Sequence, residues 1–318
     1  MNDVCMLTLN TEIKSSINIK SNTKIKLNME PHMNIAIPRN VMNNLFVAFI
    51  CLTVLILTFS VANSEANVKT RIVSTDAGAT EILLALGLGD SIVGVDVTST
   101  VPEGLKPAVV GYHRNLSAEG LMSLKPTNVF GSEHIGPKEA VDALKQAKTQ
   151  VLLQPTASNP SELISNIRGL SHSLGLSAES LIQQVHESEE SLSEMAESTQ
   201  PKKIVFLLYL EGRGMQQAGK GTTGDALITL LNSQNQADFS NYRAVAPEAL
   251  LAMQPDVILV ASESPDAPEA LLQQNPIFSH TPAGKASKVL FVDARSIVSG
   301  ISLSAMKEAL RLSRQLSN

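Results

Sequence analysis

The sequence predicts an α/β protein of two Rossmann-like lobes that are joined by a single long helix, with a ligand cleft between the lobes. Three observations lead to this fold class. Short β-branched runs alternate with helical stretches, which is typical of a mostly parallel sheet covered on both faces. One segment recurs in the second half of the chain. A mostly polar helical stretch without glycine or proline lies between the two halves.

The predicted organisation has four parts. They are a leader at residues 1–62, an N-terminal lobe at residues 63–176, a bridging helix at residues 177–200 and a C-terminal lobe at residues 201–318. The leader holds an apolar run from Leu45 to Ala62 that ends in small residues, as a secretory signal peptide does. An uncleaved membrane anchor is the alternative. Translation from Met33 or Met42 would give a leader of ordinary length.

Removing this leader changes the composition in two ways. Both cysteines, Cys5 and Cys51, are lost, so no thiol remains for a disulfide, for catalysis or for a thiolate metal site. The remaining chain has 20 basic and 27 acidic residues, a net charge of −7, which argues against nucleic acid as a partner. About 256 residues remain, enough for one large or two modest α/β domains.

Strands and helices are predicted from the periodicity of apolar residues. The expected strands are Arg71–Ser74, Ser91–Val95, Ala108–Val110, Asn128–Phe130, Gln150–Leu153, Lys203–Leu210, Asp256–Ala261 and Lys288–Val292. The expected helices include Ala79–Leu86, Ser117–Leu124, Pro137–Ala147, Ser161–Leu174, Ser177–Ser198 and Ser302–Leu316. The glycine-rich segment Gly212–Gly224 lacks the lysine and hydroxyl residue of a phosphate-binding loop, and we expect it to be a flexible rim of the cleft.

The repeat sets Leu116–Phe130 against Val245–Leu259. It matches Glu119 with Glu248, Leu121 with Leu250 and Pro126 with Pro255, at an offset of 129 residues. Tyr242 and Arg243 fall within one position of the places that correspond to Tyr112 and Arg114. Two lobes of one design predict a binding cleft between them.

The stretch Gly111–Gly120, GYHRNLSAEG, brings a phenol, an imidazole and a guanidinium together on one loop. Gly111 allows the chain to reverse, and Ser117 is suited to cap the helix that carries Glu119. Ligand-binding residues are often found on such loops. If the loop is extended, His113 points away from Tyr112 and has a supporting role or faces solvent.

On these motifs the chain resembles the haem-binding periplasmic proteins of bacterial haem ABC importers, within the binding proteins whose lobes are joined by one long helix. Four stretches carry the resemblance: GYHRNLSAEGLMSLKP, AGKGTTGDALITLL, NYRAVAPEALLAMQPDVIL and TPAGKASKVLFVD. The Gly-Tyr then Ser-Ala-Glu-Gly pattern, with the Ala-Gly then Thr then Asp-Ala pattern, separates the haem group from siderophore and cobalamin relatives.

The resemblance implies a non-enzymatic periplasmic receptor whose transported ligand is haem b. Tyr112 stands at the position of the family's axial ligand to the haem iron, and a phenolate suits ferric iron. The cation of Arg114 is placed to stabilise that phenolate. Some relatives supply a histidine from the second lobe, but Glu211 stands near that position here, so this ligand is not carried over.

Further residues receive roles from the same resemblance. Arg213 is expected to pair with a propionate or to hydrogen-bond the ligand tyrosine, and Met215 to pack on the porphyrin face. Tyr242 should line the cleft from the second lobe, and His134 should contact a propionate or a second haem. The family's glutamates at the positions of Glu119 and Glu248 pair with arginines of the permease.

The implied partners are haem, an inner-membrane ABC permease dimer and an outer-membrane haem receptor system upstream. Two alternatives stay open. A ferric siderophore or cobalamin receptor of the same fold would leave Tyr112 without an iron to bind. An exported haem-modifying or chelatase-type enzyme is the other alternative, because two-lobed α/β clefts also host catalysis.

Overall fold

The computed structural model describes residues 70–210 and 214–317. The predicted leader, residues 1–62, lies outside these described residues, as does Arg213. Within the described ranges, no helix combines the length and hydrophobicity that crossing a bilayer requires. The chain from Lys69 to Asn318 forms one compact unit, which contains both of the sheets described below.

The first sheet is parallel throughout and has the strand order β3-β2-β1-β4-β5. Its strands are β1 (Ile72–Ser74), β2 (Ile92–Val95), β3 (Ala108–Val109), β4 (Asn128–Ser132) and β5 (Gln150–Gln154). The helices that follow them are α1 (Ala77–Ala85), α2 (Ala118–Ser123), α3 (Lys138–Gln146) and α4 (Pro160–Ser173). The central strands β1 and β4 are buried along their whole length. This arrangement confirms the predicted α/β class for the first lobe.

The second sheet is mixed. Its strands are β6 (Lys203–Leu210), β7 (Gly214–Ala218), β8 (Gln234–Asn235), β9 (Tyr242–Ala244), β10 (Val257–Ser262) and β11 (Val289–Asp293), in the order β11-β10-β6-β7-β9 with β8 also paired to β6. Its helices are α6 (Thr223–Leu230), α7 (Pro247–Met253), α8 (Ala267–Gln274) and α9 (Pro282–Lys285), and helix α10 (Leu303–Ser317) ends the chain. Strand β7 runs antiparallel to both β6 and β9.

The prediction of a flexible rim at Gly212–Gly224 was wrong for the part of it that forms β7. Residues of β7 pair with β6 from Leu207 opposite Gln217 to Leu210 opposite Gly214. Glycine, methionine and glutamine have little intrinsic preference for strands, so pairing with the largely apolar strand β6 decides the conformation of β7. Gln217 and Ala218 are fully buried as a result.

Helix N-termini form where the sequence offers a capping side chain. The Ser117 hydroxyl accepts a hydrogen bond from the Gly120 amide at 3.2 Å, which confirms the cap predicted for α2. Asp76 accepts in the same way from the Ala79 amide at 3.0 Å and begins α1. These caps fix the directions in which α1 and α2 leave the carboxyl ends of their strands.

The bridging helix α5 spans Glu179–Glu197, inside the predicted range. Its buried side chains form a narrow apolar stripe, as predicted, made of Leu181, Ile182, Val185 and Leu192. It packs against α4 before it and against α10 at the end of the chain. One helix therefore connects the two halves and shares a core with elements of each.

The sequence repeat corresponds to a repeated structural unit. Lys125 and Gln254, at the offset of 129 residues, both have left-handed backbones with φ of 48° and 47°. Each ends a short helix and precedes a buried proline, Pro126 or Pro255, which cannot continue that helix. A fully buried strand follows in both halves, β4 in the first and β10 in the second.

The segment before α10 contacts the first sheet and its helices directly. The Ile301 amide donates to the Ala157 carbonyl at 2.7 Å, and the Ser299 hydroxyl donates to Asp76 at 3.2 Å. Glu81 on α1 accepts from the Ser304 amide at 2.9 Å and from the Ser304 hydroxyl. A carboxylate of one lobe thus caps the last helix, whose chain comes from the other lobe.

Glu81→Ala should lower the free energy of unfolding by about 1–2 kcal/mol, because the amide and hydroxyl of Ser304 lose their acceptor at a half-buried site. Urea denaturation followed by far-UV circular dichroism measures the change. The matched control is Glu190→Ala, which removes an exposed carboxylate from α5 and should change the unfolding free energy little. Equal effects of the two substitutions would contradict the role assigned to Glu81.

Candidate ligand-binding site

The carboxyl ends of the first sheet's strands gather polar side chains at one edge. Ligands of open α/β sheets bind at such edges, where the strand order reverses, and here β1 and β4 are the strands at that point. A small cavity of about 30 Å³ lies there between Asp76, Ser132 and Ser299. It has room for about one or two water molecules.

A larger cavity of about 440 Å³ opens beside it, between the two lobes. Its wall on the first lobe includes Glu81 and Thr98, and its wall on the second includes Asp293, Arg295 and Ser304. Arg295 pairs with Asp293 at 3.1 Å. The volume falls in the range of about 300–1,000 Å³ that ligand pockets occupy. Tyr112 lines neither of these two cavities and is exposed on the surface.

Tyr112 lies on the loop between β3 and α2, as predicted. Gly111 has a φ of 100°, which lets the chain turn out of β3, and its carbonyl accepts from the Val97 amide at 3.1 Å. The Tyr112 side chain is exposed to 47% of its surface, and no described residue hydrogen-bonds its hydroxyl. Arg114 is also exposed, and no described carboxylate forms an ion pair with it. The Tyr112 and Arg114 side chains are therefore both accessible from solvent.

His113 differs from the expectation of an extended loop. The chain turns at His113 and Arg114, so the His113 ring packs against the Tyr112 ring with centroids 4.3 Å apart and planes tilted by 47°. The His113 Nδ1 atom lies 3.2 Å from a carboxylate oxygen of Asp96, whose side chain is buried. Asp96 was missed by sequence reasoning. Its signal is a carboxylate placed directly after the apolar strand β2.

His134 is brought to the Tyr112 loop by backbone hydrogen bonds. The Gly136 amide donates to the His113 carbonyl at 2.8 Å, and the Leu116 amide donates to the Gly136 carbonyl at 2.8 Å. His134 itself is 44% exposed and lies 3.9 Å from Glu133. The two loops thus form one surface at the carboxyl end of the first sheet.

The second lobe places its predicted residues differently. Met215 on β7 is half-buried and packs against an apolar cluster of that lobe, while Arg213 lies outside the described residues. Tyr242 on β9 packs against the main core, and burial raises the pKa of its phenol. The Gly224 amide and the Thr222 hydroxyl oppose this increase. Tyr242 is therefore a protonated phenol at neutral pH.

The offset of 129 residues aligns Tyr242 with His113 and Arg243 with Arg114. The structure agrees with this alignment, since Tyr242 and His113 are both partly buried whereas Tyr112 is exposed. Arg243 is exposed like Arg114, and its guanidinium lies 4.8 Å from the Phe239 ring. Tyr112 is thus the tyrosine of the pair that an external ligand can reach.

Glu119 and Glu248 are exposed in the first turns of α2 and α7. A carboxylate at that place is stabilised by the helix dipole. The two helices are the matched elements of the repeat, so each lobe presents one carboxylate in the same local setting. Among the described residues, no group of three or more His, Cys, Asp or Glu side chains is arranged to hold a metal ion.

Comparison with known proteins adds a family and several relatives. A family model described as "Periplasmic binding protein" matches residues 72–296. An uncharacterised ABC transporter substrate-binding lipoprotein, YvrC of Bacillus subtilis, is 28% identical over 208 residues, which are 62% of this chain and 66% of the relative. A vitamin B12-binding protein of Vibrio vulnificus is 31% identical over 108 residues, 34% of this chain and 39% of the relative. The chain thus spans less than two thirds of these curated relatives.

Solved structures are similar over a larger share. The periplasmic heme binding protein HutB of Vibrio cholerae matches with a TM-score of 0.71 and 35% identity, covering 78% of this chain and 99% of that one. Other solved periplasmic heme-binding proteins match with TM-scores of 0.70. The similarity confirms the predicted two-lobed α/β fold.

Asp76 offers a test of the electrostatics at this edge. Burial raises the pKa of its carboxyl above the ordinary 3.8, the Ala79 amide and Ser299 hydroxyl lower it, and the Asp96 carboxylate raises it. The folded state therefore binds the proton more tightly than the unfolded state. Stability that depends on Asp76 rises as the pH falls through the raised folded pKa towards 3.8.

Asp76→Asn should be as stable as the unchanged protein at pH 7 or more stable, because asparagine also caps helices and does not carry the buried charge. This advantage should shrink as the pH is lowered towards 3.8, since the aspartate then becomes neutral in the folded state. Urea denaturation of both proteins at pH 7, 5.5 and about 4 gives the comparison. An advantage that grows with falling pH would contradict the sign.

Proposed function

The chain belongs to the periplasmic binding protein family, and from this premise we propose that it captures haem outside the inner membrane and delivers it to an ABC permease. The observation that carries the proposal is Tyr112, an exposed phenol with a free hydroxyl among the described residues. It stands on a loop at the carboxyl edge of the first sheet, two residues before Arg114. The likeness to a heme binding protein at 35% identity supports it.

The chemistry of the loop suits a ferric porphyrin. A phenolate is a hard anionic donor for ferric iron, and tyrosine is an established haem ligand. Arg114 is the neighbouring cation that stabilises the phenolate. Val97 and Val109 beside the loop are 57% and 67% exposed, which gives it apolar surface for a porphyrin plane.

The remaining pocket residues keep their proposed roles. Met215 supplies a thioether to the porphyrin face from the second lobe, and Arg213 pairs with a propionate or hydrogen-bonds the ligand tyrosine. His134 contacts a propionate or a second haem from the neighbouring loop. Tyr242, with its raised pKa, lines the second lobe as a neutral phenol and does not ligate the iron.

The alternative ligand within the family is cobalamin or a ferric siderophore. A vitamin B12-binding protein is among the relatives of this chain. Titration with hemin and with cyanocobalamin, followed by visible absorption, separates the two ligands. An enzyme is the less favoured alternative, since the family consists of substrate-binding transport proteins. Loss of the hemin pigment during incubation would support an enzyme.

Tyr112→Phe should abolish the phenolate-to-iron charge-transfer band of the hemin complex and weaken hemin binding by at least about tenfold, which is roughly 1.4 kcal/mol. The substitution keeps the ring and removes only the oxygen that would ligate. Absorption spectra and hemin titrations measure both effects. Tyr242→Phe should have a milder effect.

Tyr209→Phe is the matched control for this experiment. Its hydroxyl donates to Gln274 at 3.0 Å, and it is the third of the three tyrosines in the chain. This variant should bind hemin as the unchanged protein does. An unaltered spectrum and affinity in Tyr112→Phe would refute the ligand assignment, and a larger loss in Tyr242→Phe would reverse the roles of the two lobes.

The docking of the permease is proposed to use Glu119 and Glu248. A permease of two identical subunits needs one equivalent contact from each lobe, and the repeat provides one exposed carboxylate on each. Charges on the rim of an interface contribute little to stability but steer association and fix orientation. The two carboxylates thus suit docking better than ligand binding.

The double variant Glu119→Ala with Glu248→Ala should bind hemin normally and retain its thermal stability, while haem delivery to reconstituted permease stops. The charge-matched control is Glu187→Ala with Glu190→Ala, two exposed carboxylates on α5, which should deliver haem at the normal rate. Normal delivery by the Glu119 and Glu248 variant, or a loss of hemin binding, would rule out the docking role.

A further inference from the structure

We propose that Asp96 and His113 are positioning residues that hold the Tyr112 ring ready for its ligand. The inference rests on the proposed function for the identity of that ligand, but the contacts that carry it belong to the chain alone. They form a line from a buried carboxylate through an imidazole to an exposed phenol, at the carboxyl edge of the first sheet.

The buried end of the line is rigid. Asp96 is 1% exposed, and its amide donates to the Ser74 carbonyl at 3.0 Å, which ties it to the end of β1. Its carboxylate accepts from the Thr98 hydroxyl at 2.6 Å and from the Ser99 hydroxyl at 2.7 Å. These hydrogen bonds engage both carboxylate oxygens, so they fix the orientation of the Asp96 carboxylate independently of His113.

The middle of the line is His113, which is held at both of its ends. Its carbonyl accepts from the Gly136 amide at 2.8 Å, and its Nδ1 lies 3.2 Å from Asp96. The carboxylate acts as acceptor, so Nδ1 carries the proton and the ring orientation is fixed. The His113 side chain is only 12% exposed, although the residues on either side of it are exposed.

The outer end is Tyr112, whose ring meets the His113 ring at a centroid distance of 4.3 Å. No described residue hydrogen-bonds the Tyr112 hydroxyl, so the aromatic contact with His113 is a constraint on the ring that does not involve the ligating oxygen. Tilted aromatic pairs at such separations are attractive. A ring held in place before binding loses less freedom when the ligand arrives, which increases affinity.

The chain has only three tyrosines, so the Tyr112 ring can be observed by fluorine NMR without a ligand. Protein labelled with 3-fluorotyrosine should give three fluorine resonances, and Tyr112→Phe identifies the one that belongs to Tyr112. His113→Leu should shift that resonance because the ring next to it is lost. Asp96→Ala should shift it in the same direction although Asp96 does not touch Tyr112.

The double variant Asp96→Ala with His113→Leu should shift the resonance no further than His113→Leu alone, because Asp96 acts through His113. Unmoved Tyr209 and Tyr242 resonances show that the fold is intact. His186→Leu is the matched control, since His186 also lies near a carboxylate, Glu189, at 3.7 Å, but on the exposed surface of α5. It should leave all three resonances in place.

Hemin binding is the second measurement. If the ring samples its binding orientation only about a tenth of the time in Asp96→Ala, the apparent hemin affinity falls about tenfold. A Tyr112 resonance unmoved by Asp96→Ala, or a joint movement of all three resonances, would overturn the inference, as would a moved resonance with unchanged hemin affinity. If the unchanged protein bound no hemin, the proposed function would fail, and the resonances alone would decide the positioning role.

Discussion

The hydrogen bonds from Ser304 to the Glu81 carboxylate join the two lobes at the start of the last helix, together with the bonds from Ile301 to Ala157 and from Ser299 to Asp76. The chain enters the second lobe after α5 and returns at its end, so α10 lies against elements of both lobes. The carboxylate of Glu81 on α1 caps the first turn of α10 and so holds the start of this helix against the first lobe. Helix α1 and the loop after β2 line one wall of the cavity between the lobes, and the segment that follows β11 lines the other.

Many elements of this fold can be predicted from local sequence patterns. The eight predicted strands all occur, within two residues at each end, because most of them are short apolar runs, and the strands β1, β4 and β10 are buried along their whole length. The strands β7, β8 and β9 were not predicted, for the opposite reason. Their residues show no sustained apolar alternation, and pairing with neighbours makes them strands: β7 and β8 pair with β6, and β9 pairs with β7. Mixed pairing of this kind is a tertiary property that periodicity does not record.

The candidate site likewise has residues that the sequence predicts and residues that it does not. A loop with a phenol and a guanidinium can be found from the sequence, since both lie within ten residues of a capping serine. The pair of Asp96 and His113 cannot, because 17 residues separate them and only the parallel pairing of β2 with β3 brings their loops together. The sequence repeat places Tyr242 only within one position of Tyr112; at the offset of 129 residues it corresponds to His113, and it is partly buried as His113 is.

Tyr112 and Tyr242 carry the same side chain but have different surroundings, since the first is exposed and the second is partly buried. A phenol must lose its proton to bind ferric iron as an anion, and burial opposes that loss. Burial raises the pKa of Tyr242 and keeps it neutral. Tyr112 is exposed, so burial does not act on its phenol in this way. The exposed Tyr112 ring packs against His113, whose Nδ1 atom lies 3.2 Å from the buried Asp96 carboxylate. An accessible side chain can thus rest on neighbours that are themselves buried and hydrogen-bonded, which is how supporting residues orient a functional group.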